Sequence, residues 1–308
     1  MIPMISVLAV TLVAATSVTP ANPVRLTTAA ADSLRAAALK DREDTKEWLR
    51  TKPTSYLATV QRRDFGNRSI LSVGRDEHND VRIDDPEIAD HHLRVIVEGD
   101  SFHVVAVDPS ATFTVKDETR REATLPPSQI GVGRFTVRLS HQRFPALIVF
   151  DPKNAGFSRY KGLDWFPVDF RYRYELALTP NPAADTVIIQ STRGNARRAL
   201  RVGWFDFKAN GKTCRLEANR LLEPGVDENS VSVFFRDATT GKTTYEVGRY
   251  VDPEPLPDGR WVLDFNNAYN PACAVSDHYN CPIPPKANVL TVAILAGEKD
   301  VHYHAEHP

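Results

Sequence analysis

Apolar and polar residues keep a two-residue rhythm over most of this chain, and the first departures from it lie near the start. Ile5 to Val18 is an uncharged apolar run, too short to span a bilayer comfortably. Ala29 to Arg50 then reads as a helix: Asp32 and Ser33 come early, Leu34, Ala38, Trp48 and Leu49 give apolar contacts, and Pro53 stops it. Charges crowd the middle of that helix, which predicts a largely solvated clasp lying across the domains. From Tyr56 to Val149 the pattern is that of short strands. Ile70/Ser72/Gly74, Val81/Ile83, Leu93/Val95/Val97 and Phe102/Val104/Ala106 alternate between turns at Glu98-Gly99-Asp100 and Asp108-Pro109-Ser110. That spacing belongs to an all-β sandwich or barrel.

A second β-rich unit follows from Phe150 to Val301. Tyr172 to Leu178 alternates, Thr186 to Gln190 reads as a buried strand, and Trp204 to Phe207 leads into Asn210-Gly211, a hairpin dipeptide, with Lys212 to Leu216 returning. Val231 to Phe235, Thr243 to Tyr250, Trp261 to Phe265 and Asn288 to Leu295 are the remaining expected strands. The predicted fold is therefore mainly β: an N-terminal helix, a β-sandwich, then an antiparallel sheet or barrel-like domain. The expected divisions are 1–21 signal peptide, 22–55 helical clasp, 56–149 sandwich, 150–301 second β domain and 302–308 tail.

The leader reading rests on Ile5 to Val18 followed by small residues, with a cut after Ala21 leaving Thr19 and Ala21 at the small-residue positions. No Lys or Arg precedes the run, and Pro20 sits awkwardly. A buried N-terminal helix is the competing reading. Export predicts a periplasmic or secreted protein with no transmembrane span once the leader is removed. At 308 residues, 42% hydrophobic, with a formal net charge of −1, the chain can bury a sizeable core and shows no basic excess for nucleic acid.

Chemistry concentrates near the C-terminus. Cys273 and Cys281 bracket a short loop, and in an oxidising compartment their closure contributes about 2–3 kcal/mol. Zinc is the alternative, with His278 as a third ligand, but the spacing matches no common zinc module. Cys214 reads as an ordinary strand residue. Around the loop stand Arg236, Asp237, Tyr245, Arg249, Asp264, Asn266, Tyr269, Asn270 and Glu298. As a pocket, Arg249 would meet an anionic group, Tyr245 and Asn270 would orient a ligand, and Asp264 or Glu298 would act as base. As architecture, the asparagines would satisfy turn backbones and an Arg–Asp pair would clamp the loop. No glycine-rich phosphate loop, G-x-S-x-G elbow or H-E-x-x-H helix occurs. His302, His304 and His307 alternate at the terminus, but a terminal metal site is not expected. No metal or cofactor is expected elsewhere either.

Two resemblances add organisation. The segment from Val73 to Asp108, with Gly74-Arg75, Asn79-Asp80 and a loop ending at His92, resembles a forkhead-associated domain. That family reads phosphothreonine through an arginine and a serine. Arg75 stands at the arginine's place and Ala89 at the serine's, so the resemblance implies the fold and argues against phosphopeptide binding, since alanine donates no hydrogen bond. From Phe144 onward the chain resembles the bacterial domain-of-unknown-function family 1684. It does so through YKGLDWFPVD (Tyr160 to Asp169), FFRDATTGKTTYEVGRY (Phe234 to Tyr250), LDFNNAYNPACAVSDHYNCPIPP (Leu263 to Pro285) and AGEK (Ala296 to Lys299). Members commonly read P-P-x-E-N-R-L after the second cysteine; here Ala287 and Val289 replace the acid and the base. The resemblance implies no activity. The expected function is a non-catalytic module binding a small molecule or protein, with a metal-independent hydrolase using Asp264 or Glu298, Tyr245 and Arg249 as the alternative. A purely structural envelope component is a third class.

Overall fold

Helix α1 spans Thr28–Thr51 in the computed structural model, which describes residues 19–301; the apolar run Ile5 to Val18 and the terminal histidines lie outside the described residues. The Thr27 hydroxyl accepts the Ala30 amide at its start, and Pro53 follows the C-cap Lys52, as a helix stop should. Ala21, at the expected cleavage point, forms a parallel bridge with Phe207.

The chain then builds two sheets that face each other. One runs, in spatial order, Val81–Arg82, Ile70–Gly74, Leu93–Glu98, Ser101–Ala106 and Glu122–Leu125. The other runs Thr59–Asp64, Pro145–Phe150, Phe135–His141, Ser128–Val132, Phe113–Val115 and Glu118–Arg120. Alternation puts Leu71, Val73, Val95, Phe102 and Val104 opposite Ile130, Val132, Val137, Leu139, Leu147 and Val149 in one dry core. Pro145–Phe150 departs from alternation because it is buried on both faces. Leu147 and Val149 point into the sandwich, while Ile148 and Phe150 pack against Ile189, Ala199, Phe234 and Tyr250 of the following region.

That region is organised by a long hairpin. Ala196–Ala209 pairs with Lys212–Leu221, and Asn210 and Gly211 turn it with φ of +50° and +76°, which is why this dipeptide occurs there. Leu178–Pro180 and Thr186–Gln190 pair along its first strand. Three smaller ladders complete the fold: Arg173–Leu176 with Trp261–Asp264 and Glu254–Pro255, Val233–Phe235 with Arg249–Val251, and Leu163–Trp165 with Glu298–Val301. Tyr174, Phe205, Phe207, Phe235 and Phe265 form the centre of this second core.

Two expected strands are shorter or missing. Thr243 to Tyr250 is a strand only at Arg249–Val251. The Thr239 carbonyl accepts the amides of Lys242, Thr243 and Thr244, curling the segment into a turn, and Gly248 then breaks extension at φ +119°. Asn288 to Leu295 opens on the 3-10 turn Lys286–Asn288 and then makes one isolated parallel bridge, Val289 with Arg236, in place of an extended strand. Its apolar residues Leu290, Val292 and Ile294 are core residues all the same, so alternation here reports burial more than ladder length.

Candidate functional site

Helix α1 lies on the second β region and a cavity of about 400 Å³ remains beneath it. The helix presents Ala38, Asp41, Arg42, Thr45, Trp48 and Leu49, the three-and-four spacing of one helical face. The opposite wall carries Asn266, Tyr269, Asn270, Val275, Glu298 and Val301, with Leu163, Trp165 and Tyr56 at the sides. Size and lining suit a small organic ligand.

The wall is set by backbone geometry. Asp264 caps the turn Phe265–Asn267 by accepting the Asn266 amide, and its other oxygen pairs with Arg173 at 2.6 Å. Asn266 is fully engaged: Oδ1 accepts the Asp169 amide, while Nδ2 donates to the Asp169 carbonyl and to Asp264. Gly297 adopts φ +78°, and a Cβ there would lie 2.5 Å from the Ala268 carbonyl oxygen and 2.7 Å from that of Phe265. Only glycine fits, and this close approach delivers Glu298 to the cavity. Glu298 accepts the Asn270 amide through Oε2 at 2.7 Å. Burial raises its carboxyl to about 7, against the lowering pull of the Asn270 amide, Arg249 and Arg42.

Arg42 reaches across from α1, only 8% exposed, and donates from Nη1 to the Phe166 carbonyl at 3.0 Å. Its Nε and Nη2 are shut off from solvent without a hydrogen-bond partner, as is Oδ1 of Asn270. Asn270 Nδ2 is spent on the Lys299 carbonyl, which fixes Oδ1 as the free acceptor. Buried polar atoms left unmatched cost free energy, so three such atoms around one cavity mark it out.

The other expected residues lie elsewhere. Arg249 is fully buried, its guanidinium donating to the carbonyls of Ile294, Ala296 and Glu298 and to Asp237. It holds the chain that leads to Glu298, with all four of its Nη hydrogens spent on these partners. Asp237 also accepts the amides of Thr239 and Ile294. Arg236 donates to the Val247 carbonyl. Tyr245 donates to the Cys273 carbonyl at 3.2 Å, and Tyr269 to Asp252. The expected constellation thus divides: Asn266, Tyr269, Asn270 and Glu298 face the cavity, Asp264 braces its floor, and Arg236, Asp237, Tyr245 and Arg249 hold surrounding turns.

Cys273 and Cys281 are buried free thiols, not the cystine expected from their spacing. The loop is closed by other means. Thr192 donates its amide to the Cys281 carbonyl and accepts the Cys281 amide on its hydroxyl. The two thiols hydrogen-bond to each other, which holds Cys273 below and Cys281 above the ordinary thiol range. The Cys273 amide also reaches Cys281 Sγ at 3.3 Å. No cluster of metal-ligating side chains occurs among the described residues.

On the sandwich, Arg75 donates from Nε and Nη2 to Asp90 at 3.0 and 2.8 Å. Ala89 is adjacent, and its amide donates to His92 Nδ1. His92 Nε2 lies 2.9 Å from the Thr112 carbonyl, so this ring is neutral with its proton on Nε2. The arginine of this loop therefore already has an anionic partner.

Residues 158–299 match the family model for a protein of unknown function, DUF1684. The chain belongs to the DUF1684 family through this segment. Residues 71–133 match the FHA domain. The chain is similar to an uncharacterized protein of Haloarcula marismortui solved by solution NMR, at 36% identity over 49% of this chain and 80% of that one, with a TM-score of 0.39. It is also similar to Mycobacterium tuberculosis EmbR in complex with a low affinity phosphopeptide, at 16% identity over 41% of this chain and 32% of that one, with a TM-score of 0.22. No curated protein matches. Most of the cavity wall opposite α1 is thus DUF1684 sequence, while the helix lies outside the matched segment. Sequence reading missed Arg42, which stands four residues after Ala38, three before Thr45 and seven before Leu49 on one helical face. No described helix is long and apolar enough to cross a membrane.

Proposed function

We propose that this protein is a small-molecule-binding protein whose ligand sits between helix α1 and the DUF1684 domain, and that it acts by binding, without turnover. One observation carries the reading: Arg42 and Asn270 both line the cavity, and each has buried polar atoms that the protein itself leaves unmatched. Trp48, Tyr56 and Trp165 add apolar surface at the same place. Of the hydrolase set, only Glu298 lines the cavity, while Tyr245 and Arg249 are engaged with backbone carbonyls.

We extend the reading to an exported protein, periplasmic or secreted. In the FHA domain the Arg75–Asp90 pair and Ala89 favour an architectural role over phosphopeptide capture. The test of the binding reading is a thermal-shift screen with a broad metabolite panel on wild type and Thr45→Trp, which fills the cavity from α1. Compounds that stabilise wild type and not the variant support it. A panel without any such compound refutes it.

A further inference from the structure

The unmatched atoms around the cavity are of two kinds, and each kind selects a different ligand group. Arg42 is anchored at one corner by Phe166, which leaves Nε and Nη2, the two parallel N–H bonds along one edge of the guanidinium. That edge fits the two oxygens of a carboxylate. Asn270 Oδ1 and the Glu298 carboxyl are acceptors on the opposite wall, held in place by Lys299 and by the Asn270 amide. Arg42 and Glu298 both line the cavity, and each acts on the other's charge. Arg42, Asn270 and Glu298 thus line one cavity of about 400 Å³ whose remaining lining includes Trp48, Tyr56, Leu163 and Val301.

We propose that the cavity binds a free α-amino acid with an aromatic or branched aliphatic side chain. Its carboxylate lies on Arg42 Nε and Nη2, its ammonium group between Asn270 Oδ1 and Glu298, and its apolar body against Trp48 and Tyr56. This rests on the binding reading above and adds the ligand's class. A simple carboxylic acid would leave the Asn270 acceptor unmatched, and a simple amine would leave two guanidinium N–H groups unmatched. A buried site built for both groups rejects analogues lacking either one.

Calorimetric titration of the full chain at pH 8 tests this with L-phenylalanine, L-leucine, 3-phenylpropionate and phenethylamine. Both amino acids are expected to bind one to one, and each truncated analogue at least tenfold more weakly. Arg42→Leu and, independently of that variant's folding, Thr45→Trp should abolish the heat. Equal binding of 3-phenylpropionate and L-phenylalanine, lost in Thr45→Trp, overturns the amino-acid assignment and leaves the binding reading intact. Failure of both amino acids to bind also overturns the assignment. The metabolite screen against Thr45→Trp then decides separately whether the cavity binds anything. Binding that survives in Thr45→Trp overturns the location.

Discussion

Two arginines with the same chemistry do opposite things in this protein. Arg249 spends both Nη groups on Asp237 and three backbone carbonyls, so removing it strands a buried carboxylate and several acceptors. Arg249→Leu is expected to lose about 3–5 kcal/mol of stability in urea unfolding. Arg42 is also buried, at 8% exposed, but leaves Nε and Nη2 unmatched, so Arg42→Leu should cost under about 1 kcal/mol, since it removes buried groups that lack partners. Glu298 adds a pH signature. Its folded value of about 7 lies above the ordinary 4.5, so the folded state binds the extra proton between those values. The contribution is therefore fully present below about pH 4.5 and is lost as pH rises through about 7. The groups around it are Asp41 and Arg42 from α1, Arg249 beneath, Tyr56 and Tyr269 beside it, and Tyr160 and Lys299 nearby. Glu298→Gln should flatten that part of the stability–pH profile; an unchanged slope between pH 5 and 7 would show that another group titrates there. In the sequence, Asn270 and Glu298 were legible as members of the candidate pocket around the cysteine loop, Asn270 to orient a ligand and Glu298 as one of two possible bases. Arg42 was not, because a charge in a charged helix reads as solvated until the partner surface is known.

At the scale of elements, the sandwich strands, the Asn210–Gly211 hairpin and helix α1 were readable because each carries a local signal: alternation, a turn dipeptide, a capped apolar stripe. The segments at 243–250 and 288–295 were read as full strands, since alternation records which side is buried and not how far a neighbour's hydrogen bonds run; 288–295 meets Arg236 and Ala238 by only a few. Gly297 shows what such segments depend on. It lets the backbone pass against Ala268 and Phe265 at φ +78°, and Glu298–Val301 then pairs with Leu163–Trp165. Gly297→Ala should destabilise by about 1–3 kcal/mol and displace Glu298, lowering affinity at the cavity as well as stability. Chemical denaturation and ligand titration of the same preparation measure both effects. The cysteine loop was readable as a closed turn, but the structure closes it through Thr192 and hydrogen-bonded thiols.

At the scale of the whole molecule, the two β regions share the strand Pro145–Phe150. One of its faces belongs to the FHA core and the other to a cluster with Phe234 and Tyr250. An interface formed by alternate residues of one core strand cannot open without exposing both cores. Scanning calorimetry should therefore give a single unfolding transition, and Phe150→Ala should lower it by several degrees without splitting it. Two separate transitions would mean that the FHA domain folds and melts alone. The sequence carries this double burial as the unbroken apolar run Ala146 to Phe150, and the expected division between 149 and 150 cut through it. Helix α1 completes the molecule by closing the cavity over the DUF1684 domain. The most direct measurement is the electron density in that cavity in a crystal of the full chain grown with L-phenylalanine. Non-protein density bridging Arg42 and Asn270 is the predicted result. A collapsed cavity, with Arg42 paired directly to Glu298 and no room beneath the helix, would contradict it.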